Sequence, residues 1–328
     1  MGFFLRRLSF YLMALLFAAT LNFIIPRAMP GDPVTMMFAN ASVQVTPERI
    51  AAMKELLGFV DGPIYIQYLT YIKSIFTWEL GISVATYPQT VNDILAGSVG
   101  WSLFLAGTAV ILSFCLGSIF GIFAAWKRGS KYDAFISPAM LAVQAVPALV
   151  TAILVMFTFA VGTRWFPTGY AYTPGMLPDW TSWEFYKTVA YHAVLPLFCA
   201  TIIQIGGFLI NMRNNMINLL NEDYITMAKG KGLSENRVVF NYAARNALLP
   251  SVTALSMALG MAIGGQLIIE IVFNYPGLGT VLLNAINARD YQVLQGQLFI
   301  MTIFMLFFNL LADLAYVFLD PRLRKGGK

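Results

Sequence analysis

Charged residues are scarce in this chain: only 11% of its 328 residues are Asp, Glu, Lys or Arg, whereas soluble globular proteins average roughly 25%. Hydrophobic residues make up 58%, and the mean hydropathy is +0.69. A chain of this composition has too few polar side chains to cover a water-soluble domain. The sequence therefore predicts an integral membrane protein, and we attribute the net charge of +5 to loop orientation and not to nucleic acid binding.

Side chains that build catalytic and metal sites are equally scarce. The two cysteines, Cys115 and Cys199, fall inside apolar runs, which excludes a disulfide framework or a cysteine metal site. The single histidine, His192, cannot form a multi-histidine site. The chain also lacks a Gly-x-x-x-x-Gly-Lys-Ser/Thr phosphate loop, a His-Glu-x-x-His motif and a nucleophile elbow. We therefore expect no catalytic, cofactor or metal site in this chain.

Long apolar runs are what the chain has in abundance. A helix needs about 20 apolar residues to cross the roughly 30 Å hydrocarbon core of a bilayer. The stretches that meet this requirement are 8–26, 102–126, 136–161, 189–212, 249–273 and 298–319. We predict an all-α membrane protein with six transmembrane helices, the first of which is an uncleaved anchor because its run is too long for a signal peptide. Gly-x-x-x-Gly patterns at 117–121 and 260–264 allow close helix approach.

These runs divide the chain into four predicted parts. They are an anchor helix (1–26), an external loop (27–101), a core of five transmembrane helices (102–319) and a basic cytoplasmic tail (320–328). A polar loop at 219–250 interrupts the core.

The external loop is too long for a bare connection and has two helical patterns. In the first, Thr46 is the expected cap, Pro47 the first helical residue and Gly58 the stop. The second covers 63–78, with apolar residues at helical spacing. We expect both to be periplasmic helices that lie on the outer membrane surface.

The distribution of Lys and Arg indicates the orientation. Fourteen of the 21 basic residues fall in loops and tails on the side of the N-terminus, and seven fall on the other side. The short loop at 127–131 is especially basic. By the positive-inside rule, both termini and the polar loop at 219–250 lie in the cytoplasm, and the chain is a multi-pass protein of the cytoplasmic (inner) membrane.

Polar residues at membrane depth are informative because an uncompensated charge at the bilayer centre costs at least about 2.5 kcal/mol. Such residues should face protein or a water-filled path. We place a translocation path between the fourth and fifth apolar runs. Its expected lining is Gln204, Asn211, Met257, Gln266 and Glu270. Structural hydrogen bonding stays an open alternative for each polar member of this set.

The polar loop at 219–250 is the only long basic and polar segment between two apolar runs on the inner side. Its pattern predicts a short helix that ends at Gly230 and Gly232, then a turn, then a second helix with Ser234 as the N-cap. Apolar residues such as Val239 within this segment indicate a protein partner.

Short sequence motifs along nearly the whole chain, called words below, resemble those of a known family. They are Pro30-Gly31-Asp32-Pro33, Glu222-Asp223-Tyr224, Ala228 followed by Gly232, Arg245-Asn246, Ala247-Leu248-Leu249-Pro250, Pro276-Gly277-Leu278-Gly279, Arg289-Asp290-Tyr291 and Asp320-Pro321-Arg322. In these words the chain resembles the dipeptide and oligopeptide permeases, the membrane subunits of ATP-binding-cassette (ABC) importers, and specifically their first-permease type. It departs from the Glu-Ala-Ala, three residues, Gly pattern of such importers, since Thr226 and Met227 occupy the first two positions.

The resemblance implies a subunit that forms half of a translocation pathway for peptides. The implied partners are a similar second permease, two cytoplasmic ATPases, an external solute-binding protein and membrane lipid, and ATP and magnesium would bind to the ATPases only. It also implies that the polar loop contains a coupling helix that seats on an ATPase. The residues assigned to this contact are Glu222, Asp223, Tyr224, Ala228, Gly230, Gly232 and Leu233.

Other functions stay open at this point. The same machine could import oligosaccharides such as cello-oligosaccharides, because the segment 162–187 is rich in aromatic residues. An ion- or proton-coupled secondary transporter would need internal repeats or paired ionisable groups in the membrane, and only Glu270 and Asp313 are available. A membrane sensor would normally carry a soluble signalling domain, which this sequence lacks.

Overall fold

The structure, a computed structural model, describes residues 2–28, 46, 48, 52 and 62–319. Its helices are α1 (Gly2–Ala28), α2 (Ile64–Thr77), α3 (Val91–Trp126), α4 (Lys131–Ala145), α5 (Ala148–Val155), the π-helix π1 (Met156–Gly162), α6 (Trp183–Leu220), α7 (Asp223–Gly230), α8 (Glu235–Arg237), the π-helix π2 (Val238–Ala244), α9 (Arg245–Gly265), α10 (Leu267–Val272), α11 (Leu278–Ala288) and α12 (Tyr291–Leu319). Between 62 and 319, extended pairing is limited to one bridge between Ile82 and Thr90. The predicted all-α class is therefore confirmed.

Three of the described helices are long and apolar enough to cross a membrane: Val91–Trp126, Trp183–Leu220 and the Tyr291–Leu311 part of α12. A fourth candidate is the bent pair formed by Lys131–Ala145 and Ala148–Gly162. These helices confirm a membrane protein with three or four candidate spans. The six-helix count stays a prediction.

Two predicted runs differ from single straight helices. The run 136–161 is broken by a bend of 100° between α4 and α5. Val146 adopts extended backbone angles there, because the ring of Pro147 disfavours a helical conformation in the residue before it. The run 249–273 is divided between α9 and α10, which are separated at Gln266.

The helix predicted to begin at residue 102 begins earlier, at Val91. The Thr90 hydroxyl accepts a hydrogen bond from the backbone N–H of Asp93 at 3.1 Å and so caps the first turn. A search for apolar runs missed this start because the first turn is polar. The start of this helix therefore differs from the prediction, while the division into an external loop and a core stays a prediction.

The described residues group into two compact units. One unit contains Met1–Ser102 and Pro276–Leu306. In it, the buried Asp290 carboxylate accepts hydrogen bonds from the Ser83 hydroxyl at 2.5 Å and the Ala85 backbone N–H at 3.0 Å. The external helix predicted at 63–78 is present as α2, whereas the helix predicted from Thr46 to Gly58 and the tail at 320–328 lie largely or wholly outside the described residues.

The second unit contains Leu103–Tyr275 and Phe307–Lys328, as far as these are described. Within it, α6 packs against α4 and α9, and α3 lies close to α6 at two glycines. A Cβ atom at Gly117 would lie 2.7 Å from Phe208 Cβ, and one at Gly121 would lie 2.6 Å from the Leu209 carbonyl oxygen. The predicted close approach at 117–121 is therefore confirmed.

An ion pair joins the start of α4 to the C-terminal half of α6. The Arg213 guanidinium donates to both carboxylate oxygens of Asp133, at 2.6 and 2.7 Å. The remaining acceptor capacity of Asp133 is used by the Ser137 hydroxyl and the Gly129 N–H. The carboxylate is buried and fully paired, so it fixes the turn between α3 and α4 against α6.

Candidate functional site

The polar loop begins where α6 ends at Leu220. Glu222 adopts extended backbone angles (φ −78°, ψ 149°) and precedes α7 without a side-chain cap. Asp223 lies in the first turn of α7 and Lys229 in the last, and both positions are favourable to the helix dipole. The predicted short helix is therefore present, and it ends at Gly230.

One face of α7 is anchored in the protein. Ile225 is fully buried, and Ala228, one turn further, is also buried. The two belong to an apolar cluster formed by Ile122, Ala125, Met212, Met216, Ile225, Ala228, Val238, Val239, Ala243, Ala244 and Ala247. Because the Ala228 side chain points into this cluster, it seats α7 on its own chain and is not part of the outer surface.

The opposite face of α7 is exposed. Its exposed residues, with the one that precedes the helix, are Glu222, Asp223, Thr226, Met227, Lys229 and Gly230. Met227 has 62% of its surface exposed, so an apolar side chain stands among polar ones. Sequence reasoning recorded Met227 only as a departure from a family pattern and did not assign it to the site. Tyr224 lies between the two faces, and its hydroxyl accepts a hydrogen bond from the Asn246 amide at 3.3 Å.

The exit from α7 depends on Gly232. Its φ of +74° is a left-handed conformation that favours glycine, and its N–H donates to the Lys229 carbonyl at 2.9 Å. Within the described chain, a Cβ atom at Gly230 or Gly232 would meet no heavy atom within 4 Å. The predicted turn after the short helix is therefore present, and the space beside both glycines is open. Leu233 then returns to the apolar cluster and is half-buried against it.

The second part of the loop is continuous helical backbone through α8, π2 and α9. Ser234 precedes α8, but its side chain makes no capping hydrogen bond, so the predicted N-cap role is wrong. The loop is instead tied to the end of α3, where the Trp126 indole N–H donates to the Glu235 carboxylate at 2.6 Å. The Phe240 ring packs edge-to-face against the rings of Phe123 and Trp126.

The predicted path residues fall into two groups. Asn211 and Met257 are exposed, Met257 to 55%, and Gln204 is half-buried with its amide N–H donating to the Ala200 carbonyl. Gln266 and Glu270 are buried, and the Gln266 side-chain oxygen has no hydrogen-bond partner among the described residues. The structure therefore does not bring all five to one open surface.

Asn211 belongs to a polar contact between α6 and α9. Its side-chain oxygen accepts hydrogen bonds from the Asn215 amide at 3.1 Å and the Ser251 hydroxyl at 3.2 Å. Asn214 and Asn218 are also exposed, three and seven residues beyond Asn211 on the same face of α6. The 3–4 spacing of these asparagines is a signal in the sequence that indicates one polar face on α6.

Comparison with known proteins identifies the family to which this loop and these helices belong. The model of the binding-protein-dependent transport system inner membrane component matches residues 117–325. The model of the N-terminal part of such membrane components matches residues 1–90. The chain belongs to this family. The resemblance inferred from the sequence is confirmed, and the polar loop and all five path candidates lie inside the segment 117–325.

Curated relatives extend over almost the whole chain. A putative peptide permease protein of Brucella suis is 33% identical over 323 residues, 98% of each chain. An oligopeptide transport system permease protein of Bacillus subtilis is 31% identical over 97% of this chain and 98% of its own. A dipeptide transport system permease protein of the same organism is 31% identical over 94% of each. The likeness is therefore one of whole chains.

Proposed function

We propose that this chain is the membrane-spanning permease subunit of an ATP-driven ABC importer of peptides. The names of the relatives from Brucella and Bacillus, similar over nearly their full length, support a peptide cargo. Its working partners are a similar second permease, two cytoplasmic ATPases and an external solute-binding protein. ATP and magnesium bind to the ATPases, and this chain supplies half of the path.

The observation that carries the mechanism is the division of α7 into an anchored face and an open face. Ile225 and Ala228 hold the helix on its own subunit, while Met227 and its polar neighbours extend outward. We assign the open face to a groove on an ATPase, in which Met227 fills an apolar pocket and the open space beside Gly230 admits the partner backbone.

The same geometry provides a route for movement. When ATP draws the two ATPases together, each pushes on one such helix. Because α7 is packed against π2 and α6, and π2 continues into α9, displacement of α7 moves the inner ends of both long helices. The inner end of the cavity then closes as the outer end opens, a rigid-body switch in which ATP favours one state.

The topology that fits this role has six transmembrane helices and both termini in the cytoplasm. In it, α4, α5 and π1 together form one bent span, and α9 with α10 forms another. The basic residues of the turn at 127–131 and of the polar loop then share the inner side.

We assign the inner part of the path to the exposed amide face of α6, with Gln204 and Asn211 and the neighbouring Asn214 and Asn218. Met257 on α9 adds an exposed apolar contact. Neutral amides can donate to and accept from peptide bonds without selecting a side chain, which suits a varied peptide cargo. Gln266 and Glu270, predicted on the path, line it only in a conformation that exposes them.

The rival cargo is an oligosaccharide imported by the same machine. The aromatic segment 162–187 was its only support, and the Tyr172 and Trp180 rings pack within this subunit against Phe185. The relatives' names favour peptides. Uptake by the reconstituted transporter, with its own binding protein and matched panels of peptides and cello-oligosaccharides, distinguishes the two: we expect uptake of peptides, and uptake of sugars alone would overturn the cargo assignment.

Met227→Glu tests the coupling role. We expect the variant to insert and assemble, because the side chain is exposed, but a charge in an apolar pocket of the ATPase should lower peptide-stimulated ATP hydrolysis about tenfold or more. Asn236→Glu places the same charge on exposed α8 and is the matched control. Normal stimulated hydrolysis and uptake by Met227→Glu would contradict the proposal.

A further inference from the structure

A second site, not used in coupling, lies at the junction of α3 and α4. It is a cavity of about 180 Å³ lined by Ile119, Phe120, Phe123, Lys127 and Tyr132. Three of these five side chains are apolar or aromatic residues of the membrane-spanning α3, and the two polar ones lie at the end nearest the turn. The cavity thus has an apolar end along α3 and a cationic, hydroxyl-bearing end at the turn, which we call its mouth.

An exposed apolar face of α3 leads into this cavity. Leu112, Leu116 and Ile119 are exposed and follow one another at intervals of four and three residues, so they share one face of the helix. From Leu112 to Lys127 the helix rises about 22 Å at 1.5 Å per residue. This distance matches one leaflet, which has about 15 Å of hydrocarbon plus a headgroup.

The mouth of the cavity is positively charged. Lys127, Arg128 and Lys131 are all exposed, and none forms an ion pair with a residue of the described ranges. The nearest acid in the sequence, Asp133, is neutralised by its two hydrogen bonds from Arg213. Glu235 is an exposed carboxylate that accepts from the Trp126 indole at this end of α3. The turn itself presents three exposed cations.

We propose that this cavity binds one anionic phospholipid. The phosphate lies against the Lys127 ammonium and the Tyr132 hydroxyl, with Arg128 and Lys131 adding attraction, and one acyl chain follows the exposed face of α3. Charge complementarity at the mouth and an apolar track of leaflet length together favour a lipid over a soluble anion, which would use only the mouth. In the proposed orientation the lipid belongs to the cytoplasmic leaflet.

The position of this lipid has a consequence for coupling. Phe123 lines the cavity and also packs against Phe240 of π2, next to the Trp126 ring. The lipid therefore supports the aromatic contacts that hold the polar loop to α3. We infer that anionic lipid steadies the loop that the ATPase grips, an effect that goes beyond the proposed function.

Native mass spectrometry of the purified transporter, with equal phosphatidylglycerol and phosphatidylcholine supplied in detergent, tests the site. We expect wild type to retain at least one phosphatidylglycerol in preference to phosphatidylcholine. Lys127→Ala should weaken its retention about fivefold, the effect of one basic residue near a lipid surface. Ile119→Trp, which fills the cavity without changing charge, should weaken it as well, and Lys127→Arg should retain it.

Lys187→Ala is the matched control, because it removes one lysine from the same unit far from the cavity in sequence. An equal loss of phosphatidylglycerol retention in Lys187→Ala would show that retention depends on total charge and not on this cavity. The absence of a headgroup preference in wild type would show that the retained lipid is ordinary annular lipid. Either result would overturn the proposal. So would lipid retention by the isolated chain but not by the assembled complex, which would assign the face to a subunit contact. Lipid retention is measured without cargo or ATP, so this result does not depend on whether the chain transports peptides.

Discussion

Two connecting segments follow long helices of the same unit, and different kinds of contact hold them in place. The turn at 127–130 joins α3 to α4, and the loop at 221–234 follows α6. Each contains a glycine in a left-handed conformation, Gly129 at φ +78° and Gly232 at φ +74°, with no heavy atom near the missing Cβ.

The two segments differ in how they are held. The first is tied by polar contacts: the Ser130 hydroxyl accepts from the Asp133 N–H, and Asp133 pairs with Arg213. The second is tied by apolar contacts on one face of α7, and its polar face is left open. The acidic side chain of the first turn is thus used within the fold, whereas the polar face of α7 stays open, and this open face is the basis of the proposed contact with an ATPase.

The largest expected effect comes from substituting the two glycines in parallel. Gly232→Val should abolish coupled ATP hydrolysis and transport while the protein remains inserted, because a side chain at this φ costs about 1–2 kcal/mol or more and redirects the exit from α7. Gly129→Val introduces the same backbone strain in the other turn, and we expect it to keep substrate-stimulated hydrolysis. Substrate-stimulated ATP hydrolysis and transport of both variants are measured in proteoliposomes. Equal loss of activity in the two variants would show that backbone strain in either turn, and not a specific role of the loop at 221–234, causes the loss.

A smaller effect, on stability, is expected from the ion pair. Asp133→Asn removes the charge partner of Arg213 and should lower the free energy of unfolding by about 2–3 kcal/mol, less than for a fully buried pair because Arg213 keeps 21% of its side chain exposed. This loss is measured as a lower melting temperature in detergent, with size-exclusion chromatography monitoring the fraction of folded protein after heating. The exchange Asp133→Arg with Arg213→Asp should recover part of it. An unchanged melting temperature for Asp133→Asn would show that polar contacts do not hold the first turn.

The sequence predicted the all-α class, the family and the position of the short helix α7, because apolar runs and short motifs are local signals. It could not predict the bend at Pro147 as a break in a span, since a proline in an apolar run is compatible with a kinked helix. The sequence also could not show which face of α7 is buried. Ala228 was assigned to the ATPase contact because it matches the family motif, yet its side chain packs inward beside Ile225. Which face a short helix buries depends on the helices packed against it, and those contacts are distant in sequence.

The smallest expected effects separate the two serines. Ser130→Ala removes an observed cap and should cost about 0.5–1 kcal/mol, whereas Ser234→Ala, which removes no capping bond, should change stability by less than about 0.5 kcal/mol. Thermal unfolding of the two variants side by side measures the difference. A larger loss of stability in Ser234→Ala than in Ser130→Ala would indicate that Ser234 caps α8, as the sequence predicted.

Site-specific cross-linking detects which segment of this chain contacts an ATPase. In a chain whose two natural cysteines, Cys115 and Cys199, are replaced, Met227→Cys and Arg128→Cys each present one exposed thiol, on α7 and on the first turn respectively. With a short thiol-to-lysine cross-linker and the assembled transporter, we expect Met227→Cys to be cross-linked to an ATPase subunit and Arg128→Cys not to be. An ATPase attached through position 128, with position 227 left unmodified by its partner, would contradict the assignment of the loop.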